Sequence, residues 1–167
     1  MERMKDNAAK DMDLHAVLVA ALQALAGEAR RRSAELILQA QALHCTVHGN
    51  RHEVQQMVLN LLLDSMASMQ STHFAWRRVL VATRDCDAGH VALVVKDRGW
   101  PLATARLSAA RATTLAHGGT FEVAQRPGGG NVCTVTLPCR PSHVAVLPVL
   151  AVGPAATPRE TRWAELA

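Results

Sequence analysis

Aromatic residues are scarce in this chain of 167 residues: two Phe, three Trp and no Tyr. Any core must therefore be built from Leu, Val, Ala and Met, and few side chains are available to stack on bases. The positive balance is small, +4, and is spread along the chain apart from Arg30-Arg31-Arg32 and Arg77-Arg78. Both features argue against nucleic acid as a partner. The four cysteines, Cys45, Cys86, Cys133 and Cys139, form no C-x-x-C pair. Their spacing supplies no obvious zinc cluster, although His44 and His48 flank Cys45, and reduced structural thiols are the expectation. No run approaches the apolar length of a membrane span, and the most apolar stretch, Val144 to Val152, is interrupted by Pro148. The opening MERMKDNAAKDMD is charged and lacks the apolar run of a signal peptide. A cytoplasmic location is therefore expected, with no membrane span.

Hydrophobic residues make up 49% of the chain, enough for one packed core. Residues 1–12 read as a polar N-terminal segment, 13–138 as one domain, and 139–167 as a Pro-, Ala- and Val-rich tail. Leu14, Val17, Leu18, Ala21, Leu22 and Leu25 recur at helical spacing behind Asp13, a suitable N-cap. AELILQAQ predicts a strand with Leu36 and Leu38 on one face, and CTVHGN a short extended piece ending in a turn. His52 to Met69 predicts a helix with a broad apolar stripe. Its polar positions Gln56, Asn60 and Asp64 are four residues apart and so share a different face. Arg78 to Thr83 and Val91 to Lys96 predict a hairpin, as do Thr120 to Gln125 and Val132 to Leu137 around RPGGGN. Between them, Leu102 to Ala116 predicts a helix with Leu107, Ala110, Ala112 and Leu115 available for packing. Hairpins join antiparallel neighbours, so the expectation is an α/β (α+β) two-layer sandwich, with a mixed, mostly antiparallel sheet and about three helices on one face.

This layout resembles the catalytic ATP-binding domain of sensor histidine kinases, part of the GHKL (HATPase) superfamily with the Bergerat fold. Four stretches carry the resemblance. Asp13-Leu14 with its helix and Arg run is similar to the entry segment. GNRHEVQQMVLNLLLDSMASM resembles the N box, Q-Q-V-L-x-N-L-x-x-N-A. KDRG resembles the start of the G1 box, D-x-G-x-G. LSAARATTLAHGGTFEVAQRPGGGNVCTVTLP resembles the last helix, its His-Gly-Gly turn and the closing hairpin.

The resemblance implies roles for particular residues. Asn60 corresponds to the first N-box Asn. Asp64 occupies the position of the metal-coordinating Asn, where it can ligate Mg²⁺ together with Asn60. Asp97 corresponds to the G1 carboxylate that accepts a hydrogen bond from the adenine amino group, and Gly99 follows at the family spacing. Each also has a plainer reading: a pocket-rim amide for Asn60, a surface charge for Asp64, a turn cap for Asp97. Gly128-Gly129-Gly130 is better read as a hairpin turn than as a phosphate cradle, because it follows a strand and opens no helix.

Several departures from the family pattern fall together. Asp64 adds a negative charge where an amide is usual. Trp100-Pro101 replaces the second Gly of the G1 box with a bulky, stiff pair. Pro101 runs almost directly into the next helix, leaving no ATP lid. The Thr often found at the start of the last strand aligns with Val132. The resemblance leads to the expectation that this chain works without the family's phosphoacceptor helical hairpin, since His52-Glu53 lies at the start of the N-box helix. The expectation is therefore a two-component signalling module whose ATP and Mg²⁺ binding is weak or lost, acting as an adaptor. Its implied partners are proteins: a histidine-containing dimerisation domain, a response regulator or another signalling protein. The alternatives are the catalytic module of a split histidine kinase and a relative of the anti-sigma-factor kinases.

Overall fold

The computed structural model describes residues 9–87, 89–140 and 149–154. Strand β1 (Lys10–Asp13) leads directly into α1 (Leu14–Arg31). The Asp13 side chain caps this helix by accepting from the His15 N–H at 2.8 Å. One stripe of α1, from Leu14 through Val17, Leu18, Ala21 and Leu22, is buried. Arg30 and Arg31 sit in its last turn, where cations favour the negative end of the helix dipole. Strand β2 (Glu35–Ala40) alternates as expected, with Leu36 and Leu38 buried and Ile37 on the other face. Strand β3 (Thr46–Gly49) ends at Asn50, whose side chain caps α2 (Arg51–Ser68) by accepting from His52 N–H and Glu53 N–H. Val54, Met57, Val58, Leu61, Leu62, Ser65 and Met66 of α2 are buried.

After a short 3₁₀ turn (Phe74–Trp76) come β4 (Arg78–Asp87) and β5 (His90–Lys96), paired antiparallel. Helix α3 (Thr104–Ala116) is followed by β6 (Thr120–Gln125), β7 (Asn131–Arg140) and β8 (Leu150–Val152). The sheet order is β1-β3-β7-β5-β4-β2-β8, with β6 paired to β7. Only β2 and β4 run parallel among these pairs. Strand β7 is the axis of the design. One edge pairs with β5 along Val132 to Pro138. The other edge serves β6 and then β3, which takes over at Cys139 and Arg140. The helices pack through Leu14, Leu18, Leu61, Leu62 and Leu107 into one core with Leu36, Leu38, Val81, Leu93 and Val135 of the sheet. Among the described residues the architecture is thus the α/β two-layer sandwich with a mixed, mostly antiparallel sheet and three α-helices.

Three local features differ from the sequence expectation. The closing strand does not stop at Leu137: β7 continues through Pro138, which costs no ladder bond it could have donated, to Arg140. Leu150–Val152, inside the stretch read as a tail, adds an edge strand beside β2; the rest of 141–167 lies outside the described residues apart from 149 and 153–154. On α3 the buried positions are Leu107, Ala110 and Thr114, at intervals of three and four residues, whereas Ala112 and Leu115 face out. Thr114 enters the core because its hydroxyl donates to the Ala110 carbonyl at 2.8 Å.

Candidate functional site

The face of α2 carrying Gln56, Asn60 and Asp64 turns away from the core. Gln56 donates from Nε2 to Asn60 Oδ1 at 3.0 Å, one helical turn on. Asp64, one turn further, receives Arg106 Nη1 from the first turn of α3 on its Oδ1 at 3.2 Å. The position that the family resemblance assigns to a metal ligand therefore holds a carboxylate paired with a guanidinium of the same chain.

Asp97 follows β5 and is 1% exposed. Its Oδ1 accepts from the Gly99 N–H at 2.8 Å, from Asn131 Nδ2 at 2.9 Å, from the Asn131 N–H at 3.4 Å and from the Ser68 hydroxyl at 3.4 Å. Its Oδ2 is buried with no hydrogen-bond partner. Gly99 is dictated by contact: a Cβ there would lie 1.9 Å from Ser68 Oγ and 2.5 Å from the Ser68 carbonyl carbon. The segment after Asp97 thus presses onto the C-terminal end of α2, and the Trp100 N–H donates to the Ser68 carbonyl at 3.0 Å. Only Leu102 and Ala103 separate Pro101 from α3.

Asn131 is the residue that sequence reasoning missed. It looked like the last position of a Gly-rich turn. Its side chain instead holds Asp97, donates to the Trp100 carbonyl at 2.9 Å and accepts from the Leu102 N–H at 3.2 Å. One amide thereby fixes the carboxylate and the chain leaving it. The available signal was that a polar residue directly follows the turn glycines, beside Val132. Gly130 makes the approach possible: its φ is +108°, and a Cβ would lie 2.3 Å from the Asp97 carbonyl oxygen. The three glycines form the β6–β7 turn, closed by Arg126 N–H to Gly130 O at 3.0 Å. Behind the site, burial and the nearby carboxylates of Asp97 and Asp64 push the Cys133 thiol up to about 12.

A cleft of about 420 Å³ opens beside this loop, between Thr72, Arg98, Trp100, Pro101, Arg126 and Gly130. Trp100 is 69% exposed at its rim. Asn60, Asp64 and Asp97 are not among its lining residues; Gly99 is.

This arrangement of sheet and helices is the fold found in sensor histidine kinases of known structure. No family model matches the sequence. Among curated proteins, the sensor histidine kinase ZraS of Klebsiella oxytoca is 27% identical over an alignment of 148 residues, taking in 77% of this chain and 31% of ZraS. Among solved structures, the mycobacterial sensor histidine kinase MprB superposes with a TM-score of 0.63 at 20% identity, covering 81% of this chain and all of that one. Full-length ShkA in complex with AMPPNP gives a TM-score of 0.68 at 16% identity, over 82% of this chain and 32% of ShkA. The chain therefore spans about a third of the length of ZraS and of ShkA. Among the described residues, no helix is long and apolar enough to cross a membrane.

Proposed function

We propose that this chain is a histidine-kinase-like ATPase-fold module of two-component signalling in which ATP and Mg²⁺ binding is weak or lost, and that it acts by binding a signalling protein. The observation that carries this reading is the Arg106–Asp64 contact of 3.2 Å. A Mg²⁺ ion in such a site is needed to offset phosphate charge and needs oxygen ligands. Here a guanidinium of α3 already pairs with the carboxylate at that position. The short link from Pro101 to α3 adds to the argument, because phosphoryl transfer depends on positioning and charge neutralisation around the phosphates. Asn60 and Gly99 belong to the residual nucleotide face on this reading, with Asp97 at its floor. The partner class is a histidine-containing dimerisation domain, a response regulator or a comparable signalling protein, acting in the cytoplasm.

A second reading, an active ATP-binding module of a split histidine kinase, is favoured by Asp97 Oδ2, a buried acceptor without a donor. An adenine amino group would satisfy it, and ShkA was solved with a nucleotide analogue. Thermal denaturation with and without millimolar Mg²⁺-ATP separates the two. A ligand at about 100 times its dissociation constant stabilises by about 2.7 kcal/mol. For a domain of this size that raises the midpoint by roughly 5–11 °C. The expected result is a shift well below that range. A shift within it, lost in Asp97→Ala, would overturn the degenerate reading in favour of the catalytic one.

A further inference from the structure

At the opposite end of β5 from Asp97, three potential metal ligands converge from two segments distant in sequence. Asp13 and His15 come from the β1–α1 junction, and Cys45 from the connection between β2 and β3. One ligand atom from each lies within 4.8 Å of the others, the group of this kind found among the described residues. Cys45 is fully buried and His15 is 1% exposed, while Asp13 is half-buried. The Cys45 Sγ donates to Asp13 Oδ1 at 3.2 Å. Burial, and then the Asp13 carboxylate, push that thiol up to about 12.

His15 supplies the second, independent observation. Its Nε2 lies 2.8 Å from Thr83 Oγ1 in β4, and its Nδ1 is buried with no hydrogen-bond partner. An imidazole whose only role was to pack would leave that nitrogen unsatisfied at a cost of about 1–3 kcal/mol. An imidazole that donates Nε2–H to a hydroxyl and keeps a lone pair on Nδ1 has the arrangement of a metal-ligating histidine with its outer-shell partner. Thr83 is itself held, since its Oγ1 accepts from the Ala42 N–H at 3.3 Å.

We propose that Asp13, His15 Nδ1 and Cys45 Sγ form a site for a zinc-class divalent cation. One thiolate and one carboxylate balance the charge of the ion, and the imidazole adds a neutral ligand. Ligand atoms around tetrahedral zinc stand about 3.3–3.5 Å apart, from bond lengths of about 2.0–2.3 Å. Sulfur and carboxylate stand 3.2 Å apart, close to that separation, and the imidazole contributes a nitrogen within the 4.8 Å that encloses all three ligand atoms. The half-buried Asp13 marks the side of entry and of a fourth, solvent-derived ligand. Such an ion would clamp the N-terminal strand and helix to the β2–β3 connection, away from the Asp97 face. The sequence spacing did not suggest it, because Cys45 is 32 residues from Asp13.

The test titrates the full, reduced chain with Co²⁺, a spectroscopic surrogate for zinc. The expected result is one ion per chain, a thiolate-to-cobalt charge-transfer band, and loss of that band on adding Zn²⁺. Cys45→Ala is expected to abolish the band, while the double substitution Cys86→Ala and Cys139→Ala keeps it. Thr83→Val, which removes the positioning hydroxyl, is expected to weaken binding by about 10–100-fold with the band shape retained. Absence of the band in the unsubstituted chain overturns the proposal, and so does a band that survives in folded Cys45→Ala. Should Cys45→Ala fail to fold, Cys45→Ser serves in its place, since it leaves an oxygen that gives no thiolate band.

Discussion

Asn131 donates its side-chain amide to Asp97 at 2.9 Å across a separation of 34 residues. The contact couples the start of β7 to the end of β5, where the Asp97 N–H also donates to the Asn131 carbonyl at 3.1 Å. The two residues therefore exchange backbone and side-chain bonds. Asp97 is consequently a structural node as well as a candidate adenine contact.

Removing the amide should be costly. In Asn131→Leu, Asp97 Oδ1 loses its 2.9 Å donor, while the Trp100 carbonyl and the Leu102 N–H each lose a partner. Leaving buried polar groups unpaired costs about 1–3 kcal/mol. Urea denaturation is expected to show a loss of at least that order, with the midpoint lowered and the slope unchanged. A variant as stable as the parent would mean that solvent replaces Asn131 without penalty.

The Asp64–Arg106 pair should behave in the opposite way. Arg106 is largely exposed, with 61% of its side chain accessible, so the pair is worth at most about 1 kcal/mol. Arg106→Ala is expected to leave the unfolding midpoint within about 4 °C of the parent. The double substitution Asp64→Asn with Arg106→Ala restores the amide of the N box and removes the competing cation. Calorimetric titration with Mg²⁺-ATP is expected to give tighter binding in that variant than in the parent. Equal or weaker binding would show that the ion pair is not what limits the site.

Gly99→Ala tests the packing of the loop on α2. The added Cβ meets both the hydroxyl and the backbone of Ser68. Overpacking of this kind costs about 1–3 kcal/mol. Adding Ser68→Ala removes the hydroxyl contact at 1.9 Å but leaves the one with the carbonyl carbon at 2.5 Å, so rescue should be partial. Full rescue would place the constraint in the side chain alone.

Asp85 gives the fold a dependence on acid. Its carboxylate accepts from the Leu43 N–H at 2.9 Å and the His44 N–H at 3.0 Å, pinning the connection that carries Cys45. The Leu43 backbone bond is the main reason that its pKa lies below the ordinary value of 3.8. A carboxylate with a depressed folded-state pKa contributes stability that is present above the unfolded pKa and is lost as pH falls through the folded one. Asp85→Asn should therefore be less stable than the parent at pH 5–7, and the gap should shrink as pH is lowered below about 4. Chemical denaturation at several pH values measures this, and a gap independent of pH would assign the effect to geometry alone.

Much of the secondary structure was legible because its determinants are local. The cap at Asp13, the stripe of α2 and the alternation of β2 follow from backbone periods of about 3.6 and 2 residues. The common face of Gln56, Asn60 and Asp64 follows from the same arithmetic. Leu115 misled, because its spacing fits a helix face without saying which face the sheet covers; α3 buries Thr114 instead.

The sequence by itself determined the three helices and the central strands, the order of the kinase-like motifs and the shortness of the link between Pro101 and α3, but not the edge strands β1 and β8. Tertiary structure decided what those residues touch. Arg106 reaches Asp64 across 42 residues, Asn131 reaches Asp97 across 34, and Cys45 meets Asp13 across 32. Helix packing sets the first of these contacts, and sheet register underlies the second. The third depends on how a loop returns to the β1–α1 junction. Residue spacing encodes none of these, because many registers and packings share the same local periodicity, and only burial of one common core selects among them.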